Sequence, residues 1–191
     1  DELLMVDDDI SFGPDCRFQY RFHRAGDYVL EIRDNRFRGG GRCRIRVGDF
    51  PLVSVPYPLG GRIGSTARFQ FIGPAAAGAL PVVMRVPAGS ERRQISVSAK
   101  YAAGRSSGIT VAAASMLPEQ LETEPNDAPE QATSITLPCA VSGLLEQESD
   151  RDYYSFAAIK GASYVFRSVC QQLGSPTRLY MQIHSTDGKA L

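Results

Sequence analysis

"FPLVSVPYPLGGRIGSTARFQFIG" (residues 50–73) shows the pattern that governs this chain, with short apolar runs separated by turns rich in Gly and Pro. Residues 66–72 within it are predicted to form a strand. Strands spaced in this way are typical of a small β-sandwich. Further strands are predicted near 52–55, 81–86, 94–100 and 108–115, with turns at 58–61, 73–78, 87–90 and 104–107.

Both flanking segments carry strand patterns of the same kind. In "CRFQYRF" (residues 16–22), apolar and polar residues alternate strictly, which indicates a half-buried strand. With "YVLEIR" (28–33) and "RCRIRVG" (42–48), it predicts three antiparallel strands with a basic outer face. No helical period of useful length occurs, so we expect an all-β protein of antiparallel sandwiches. Beyond residue 118, a short helical turn is predicted at 128–133 and strands near 138–145, 153–158, 163–170 and 178–184.

The charges are balanced overall but unevenly distributed. The 191 residues carry 21 bases and 21 acids, which argues against a dedicated nucleic-acid-binding protein. No apolar run approaches the roughly 20 residues that span a bilayer, so no membrane insertion is expected. The uneven distribution indicates separate modules: ten acids and nine bases in 1–49, one and seven in 50–117, nine and one in 118–152, and one and four in 153–191.

The four cysteines show no metal-binding spacing, because none lies in a CxxC pair. Two disulfides, Cys16–Cys43 and Cys139–Cys170, are one interpretation if the protein is exported. Four buried free thiols are the other, since Cys packs well in protein cores. The sequence leaves both open.

Residues 118–191 resemble the bacterial pre-peptidase C-terminal domain, a family that includes the collagen-binding modules of bacterial collagenases. The resemblance rests on an acidic opening followed by a D-x-D-[YF]-x-x-F strand. It implies a jelly-roll-like β-sandwich in a secreted or cell-surface protein. The matching residues are "ETEPNDAPEQAT" (122–133), "VSGLL" (141–145), "DRDYYSFAAIKGASYVFRSV" (150–169) and "LGSPTRLYMQIHSTDGK" (173–189).

The resemblance also divides the chain. Residues 1–48 resemble the C-terminal half of such a domain, and 118–191 resemble the N-terminal half of a second one. Residues 49–117 resemble the Ig-like domain that lies between these repeats in some large secreted proteins, through their layout and "PYPLGGRIGS". Both ends are therefore expected to be internal to a longer polypeptide. The two halves are expected to close on each other, within one chain or by strand exchange with a second copy.

The acidic opening is the strongest candidate site. In calcium-binding members of the family, the opening and the acids before the D-Y strand hold the ion together. Their side chains supply only oxygen ligands, and calcium takes six to eight. The alternative is a capped linker in which Asp127 and Glu130 form a capping box and the other acids lie in a turn. The positions carried over are Glu122, Glu124, Asn126, Asp127, Asp150 and Asp152.

Three weaker features have simpler interpretations. Asp7, Asp8, Asp9 and Asp15 could ligate a cation, but a solvated turn is favoured. The predicted basic sheet face could dock an acidic polymer, although an ordinary exposed face is the default. His23 and His184 are too few and too distant in sequence for a catalytic triad. The basic face comprises Arg17, Arg21, Arg42, Arg44 and Arg46.

These patterns predict a non-catalytic region that spaces, stabilises or targets attached peptidase or surface domains outside the cell. No HExxH or phosphate-binding loop is present, and the serines of "AGRSSG" (103–108) lie in a predicted turn with nothing to activate them, so no enzyme activity is expected. The alternative is a calcium-ordered module that binds an extended polymer, such as a collagen-like protein or a polysaccharide. Exposed aromatic side chains would favour binding, but Tyr101, Tyr153 and Tyr180 are each expected to be at least half buried.

Overall fold

The computed structural model describes residues 5, 16–34, 40–88 and 93–185 of the chain. These residues form short strands and three 3-10 turns without an α-helix, which confirms a mainly-β protein. The strands are β1 (Val55–Tyr57), β2 (Gly60–Arg62), β3 (Thr66–Ile72), β4 (Val82–Arg85), β5 (Gln94–Val97), β6 (Thr110–Ser115), β7 (Glu119–Leu121), β8 (Thr133–Ser134), β9 (Ala140–Ser142) and β10 (Tyr154–Ser155). The 3-10 turns are Ala102–Gly104, Pro129–Gln131 and Gln171–Leu173.

Six of these strands form two three-stranded sheets. The first has the order β1-β3-β4 and is antiparallel, with Thr66 opposite Arg85. The second has the order β2-β6-β5, in which β5 and β6 are antiparallel and β2 runs parallel to β6. The chain therefore passes from the first sheet to the second between Tyr57 and Gly60.

One apolar core receives side chains from both sheets. On β3, Phe69 and Phe71 are buried while Arg68 and Gln70 are exposed, as the period of a strand requires. Burying each phenylalanine side chain contributes about 1.5–3 kcal/mol. The other buried members of this cluster are Val53, Val86, Ile95, Val97, Ala99, Ala112 and Ala114.

The remaining four strands form two small parallel pairs. β7 lies beside β9 with Glu119 opposite Ala140, and β8 lies beside β10 with Thr133 opposite Tyr154. A parallel pair needs a long crossover rather than a hairpin, and residues 122–139 form the crossover between β7 and β9. The two pairs bring the residues that follow β7 close to those that precede β10.

The strand predictions for the middle segment agree with the structure in most places, and the main error concerns β2. Strands were expected near 66–72, 94–100 and 108–115, where β3, β5 and β6 lie. The predicted turn at 58–61 is wrong at its end, because Gly60 and Gly61 begin β2. A Cβ on Gly61 would lie 2.9 Å from Val86 Cγ2, so glycine serves close packing here. The expected antiparallel pairing is present in β1–β3, β3–β4 and β5–β6, while the other three strand pairs are parallel.

In the flanks, the strands predicted near 138–145 and 153–158 are confirmed by β9 and β10, and the other strand predictions are wrong where the structure describes them. Residues 16–34 and 40–48 contain no strand, and neither do 163–170 or 178–184. Side chains predicted to face inward are exposed, including Val47 at 81%. Alternation determines which face of a strand would be buried, but a strand also needs a hydrogen-bonded neighbour.

All four cysteines are free thiols in the structure. Cys16 and Cys43 are exposed, whereas Cys139 and Cys170 are partly buried. The disulfide interpretation is therefore wrong for this structure. The alternative of four buried thiols is wrong for Cys16 and Cys43.

Candidate metal centre

Three carboxylates meet where the two parallel pairs lie side by side. Glu122 follows β7 directly, Glu124 lies two residues further on, and Asp152 lies two residues before β10. Each offers an oxygen, and these oxygens all lie within 4.8 Å of one another. Three carboxylates at this spacing could hold a metal ion.

Glu122 is the most firmly held of the three. Tyr154 Oη donates to Glu122 Oε2 at 2.9 Å, and the backbone N–H of Leu144 donates to Glu122 Oε1. Tyr57 Oη lies 3.5 Å from Glu122 Oε1. A Cβ on Gly143 would overlap both Glu122 Oε2 and Tyr154 Oη. The absence of a side chain at position 143 therefore permits this close packing.

Asn126 lies beside the carboxylates and is completely buried. Its backbone N–H donates to Glu124 Oε2 at 3.0 Å, and its carbonyl accepts from the Tyr153 N–H at 3.0 Å. Its side-chain Nδ2 donates to Thr133 Oγ1 at 3.5 Å. The last two of these bonds fix the acidic opening against the β8–β10 pair.

Two buried oxygens near the cluster have no hydrogen-bond donor among the described residues, namely Asn126 Oδ1 and Asp152 Oδ1. Leaving a buried polar atom unpaired costs about 1–3 kcal/mol, more for a charged group. Oxygens of this kind are the ligands that calcium prefers. The donor set therefore fits a hard cation.

Asp127 and Asp150 lie outside the group of three. Asp150 accepts backbone N–H bonds from Glu146 at 2.6 Å and from Arg151 at 3.0 Å, so it closes the turn before β10. These bonds, with the Glu146 N–H foremost, lower the pKa of Asp150, and Asp127 adds a side-chain hydrogen bond. The predicted capping box is wrong, because Ala128 caps the Pro129–Gln131 turn without a side-chain bond.

Burial and neighbouring acids raise the pKa of two carboxylates of the cluster, Asp152 and Glu124. Burial raises the pKa of Asp152 to about 6, and the charges of Glu122, Asp150 and Glu124 add to this effect. The pKa of Glu124 is also raised, by desolvation first and by neighbouring acids, although its side chain is exposed. Protonation or a bound cation would each relieve this repulsion.

Burial and the negative charge of Glu122 raise the pKa of two tyrosines beside the cluster, Tyr57 and Tyr154. Burial and then Glu122 raise the pKa of Tyr57 to about 12. Burial, followed by the hydrogen bond to Glu122, raises the pKa of Tyr154 above its usual range. Both phenols therefore stay protonated and remain hydrogen-bond donors at neutral pH.

Sequence reasoning missed both tyrosines. Tyr154 lies inside the quoted strand motif. The alternation of apolar and polar residues there does not indicate that its hydroxyl donates a hydrogen bond to Glu122. Tyr57 comes from β1, more than sixty residues away in sequence, so no local signal connects it to Glu122. The acids predicted at 7, 8, 9 and 15 lie outside the described residues.

Comparisons with protein-family models, curated proteins and solved structures find no match to this chain. Within the described ranges, no helix is long and apolar enough to cross a membrane.

Proposed function

We propose that this chain is a non-catalytic β-structured region of a large secreted or cell-surface bacterial protein, where it spaces and stabilises attached domains. In this proposal, residues 49–117 are an Ig-like sandwich between two half-domains of the pre-peptidase C-terminal type. A calcium ion held by Glu122, Glu124 and Asp152 orders the acidic segment that joins the second half-domain to the sandwich.

The pairing of the first six strands supports the Ig-like part of the proposal. Two sheets share one core, and alternate residues of β3, β5 and β6 supply it. The first stretch of chain contributes β1 to one sheet and β2 to the other. A sandwich explains both observations, because the inner faces of two sheets then bury the same side chains.

The observation that carries the calcium part is the conjunction of clustered carboxylates with buried, unpaired oxygens. Calcium would supply positive charge and up to eight coordination positions at one point. Glu122, Glu124 and Asp152 would bind it, and Asn126 would provide a further oxygen. The chain's own hydrogen bonds from Tyr154, Leu144 and Asn126 already hold two of these carboxylates in place.

Differential scanning calorimetry in calcium and then in EGTA tests this proposal. A ligand that binds the native state at one hundred times its Kd stabilises it by about 2.7 kcal/mol. For a chain of this size, that corresponds to a rise in Tm of roughly 5–10 °C. A Tm that is the same in both solutions would refute the calcium site.

A matched pair of variants shows whether the calcium-dependent rise in Tm comes from the carboxylate cluster. Glu124→Gln removes one charge from the cluster and is expected to abolish most of the calcium-dependent rise in Tm. Glu130→Gln removes the same charge from the exposed Pro129–Gln131 turn and is expected to keep the rise. Equal loss in both variants would indicate a diffuse charge effect instead of a site.

One observation favours the alternative function, the binding of an extended polymer. Tyr180 is 86% exposed, contrary to the expectation that it is at least half buried, whereas Tyr101 and Tyr153 are partly buried as expected. An exposed aromatic ring can stack on a sugar or on a collagen-like peptide. Co-sedimentation with insoluble collagen or polysaccharide tests this function, with Tyr180→Ala expected to reduce the bound fraction.

Strand exchange with a second copy is supported by uncovered apolar side chains in both flanks. Val29, Val47 and Val165 are 96%, 81% and 93% exposed. Exposed apolar side chains also occur together in 28–32 and 164–166, and patches of this kind mark interaction sites. Sedimentation equilibrium tests the proposal: a dimer mass is expected, and a monomer at all concentrations would refute exchange between copies.

A further inference from the structure

We propose that the carboxylate cluster also controls how residues 118–155 pack against the two three-stranded sheets. It does so through a small set of contacts made by Tyr57 and Leu59, which we call the joint. The joint comprises the contacts of these two residues with Glu122 and Ser142. This inference rests on the proposed calcium site. It adds that occupation of that site is transmitted to a part of the chain that offers no ligand.

The joint is a short series of polar contacts across two parts of the fold. Tyr57 Oη, at the end of β1, lies 3.5 Å from Glu122 Oε1 and 3.4 Å from the Ser142 carbonyl. The Leu59 N–H donates to Ser142 Oγ at 3.0 Å. Ser142 Oγ donates in turn to Glu119 Oε1 at 2.5 Å. Ser142 is only 2% exposed, so water competes little for these bonds.

Both sides of the joint are anchored. Leu59 lies where the chain crosses between the sheets, and its carbonyl accepts the Ala113 N–H of β6 at 2.7 Å. Ser142 ends β9 and lies opposite Leu121 of β7. A displacement of Ser142 relative to Leu59 would therefore move the β7–β9 pair against the sheets.

Glu122 belongs to the joint and to the carboxylate cluster at once. Its Oε1 faces Tyr57 and the Leu144 N–H, and its Oε2 accepts from Tyr154. Close packing against Gly143 prevents it from moving to that side. Without a cation, uncompensated repulsion from Glu124 and Asp152 acts on Glu122 and favours its displacement from the position in which it contacts Tyr57. A bound cation reverses that tendency and holds the joint closed.

Hydrogen exchange measured by NMR tests the inference at single amides in the intact chain. The Leu59 amide reports the joint, because its hydrogen bond to Ser142 is part of it. The Leu144 amide reports the site through its bond to Glu122. The Ala99 amide, which donates to Ser107 Oγ in the core, reports global stability.

Calcium in place of EGTA is expected to slow exchange at Leu59 and Leu144 by at least about fivefold, the lower end of typical coupling between sites. Exchange at Ala99 is expected to change much less. Slowing of equal size at all three amides would overturn the inference, because global stabilisation would then explain it.

Two Tyr→Phe substitutions, each of which removes one hydroxyl, complete the test. Tyr57→Phe keeps the ring and every group of the cluster, so calcium binding measured by titration calorimetry is expected to persist while the slowing at Leu59 is lost. Tyr28→Phe removes a hydroxyl that bonds Arg24 in the first flank and is expected to behave as the unmodified chain.

The outcomes separate the two proposals. Calcium binding without any change at Leu59 would overturn the joint and leave the site intact. Absence of calcium binding in the unmodified chain would overturn the proposed site and the joint with it.

Discussion

Replacing Asp152 by Asn is expected to remove a specific pH dependence from the stability of the chain in EGTA. The folded state raises the pKa of Asp152 from 3.8 to about 6, so the folded protein binds this proton more tightly than the unfolded chain does. The free energy of unfolding therefore falls as pH rises from about 4 to 6 and stays low above that range. The amide introduced by Asp152→Asn cannot titrate, so its contribution is constant.

The size of the pH-dependent change in the free energy of unfolding follows from the raised pKa of Asp152. A pKa change of about two units corresponds to about 3 kcal/mol. Because the carboxyl is only partly buried, solvent screening reduces this to about 1 kcal/mol. Asp150 does not interfere, since its lowered pKa stabilises the fold above its unfolded pKa and is lost only below about pH 4. Glu119 and Glu124 shift upward and add to the slope in both proteins.

Urea denaturation at pH 4, 5, 6 and 7 measures the difference. The free energy of unfolding of the variant relative to the unmodified chain is expected to rise by about 1 kcal/mol between pH 4 and 7. A constant difference across that range would refute the assignment of a raised pKa to Asp152 and, with it, the crowding of the three carboxylates.

Three further substitutions test the packing around the sheets and the site by the same denaturation assay. Phe69→Ala should cost about 3–5 kcal/mol, because the ring is fully buried, and a loss below about 1 kcal/mol would contradict the shared core. Gly73→Ala should destabilise strongly, since its φ is +132° and a Cβ would lie 2.5 Å from the Ser54 backbone N; an unchanged midpoint would contradict that geometry. Thr133→Val should cost about 1–3 kcal/mol by leaving the Thr123 N–H without its acceptor, and no loss would show that water replaces it.

The middle of the chain was predictable because local pattern and tertiary pairing agree there. The alternation of β3 specifies its buried face, and β4 lies within reach across a short connection. Parallel pairing was not predictable, because β2 and β6 are distant in sequence and nothing local specifies their register. The same alternation is present in 16–34, 40–48, 163–170 and 178–184, yet none of these described segments forms a strand.

The acidic residues of the candidate site were predictable from the sequence, but the groups that hold them in place were not. Glu122, Glu124 and Asp152 are three of the six positions that the family resemblance carried over as oxygen ligands. Asp150 is held apart from them by backbone N–H groups of the turn before β10, which composition does not reveal. Tyr57 approaches only because β1 and the β7–β9 pair meet in three dimensions.

Tyrosine-sensitised terbium luminescence is the most direct measurement of the proposed cation site. Terbium occupies calcium sites, and the chain has no tryptophan, so excitation must come from tyrosines such as Tyr154 at the cluster. We expect a saturable signal that calcium displaces and that Asp152→Asn and Glu124→Gln greatly weaken, while Glu130→Gln leaves it unchanged. A signal that calcium does not displace, or that survives both cluster substitutions, would contradict cation binding by these carboxylates.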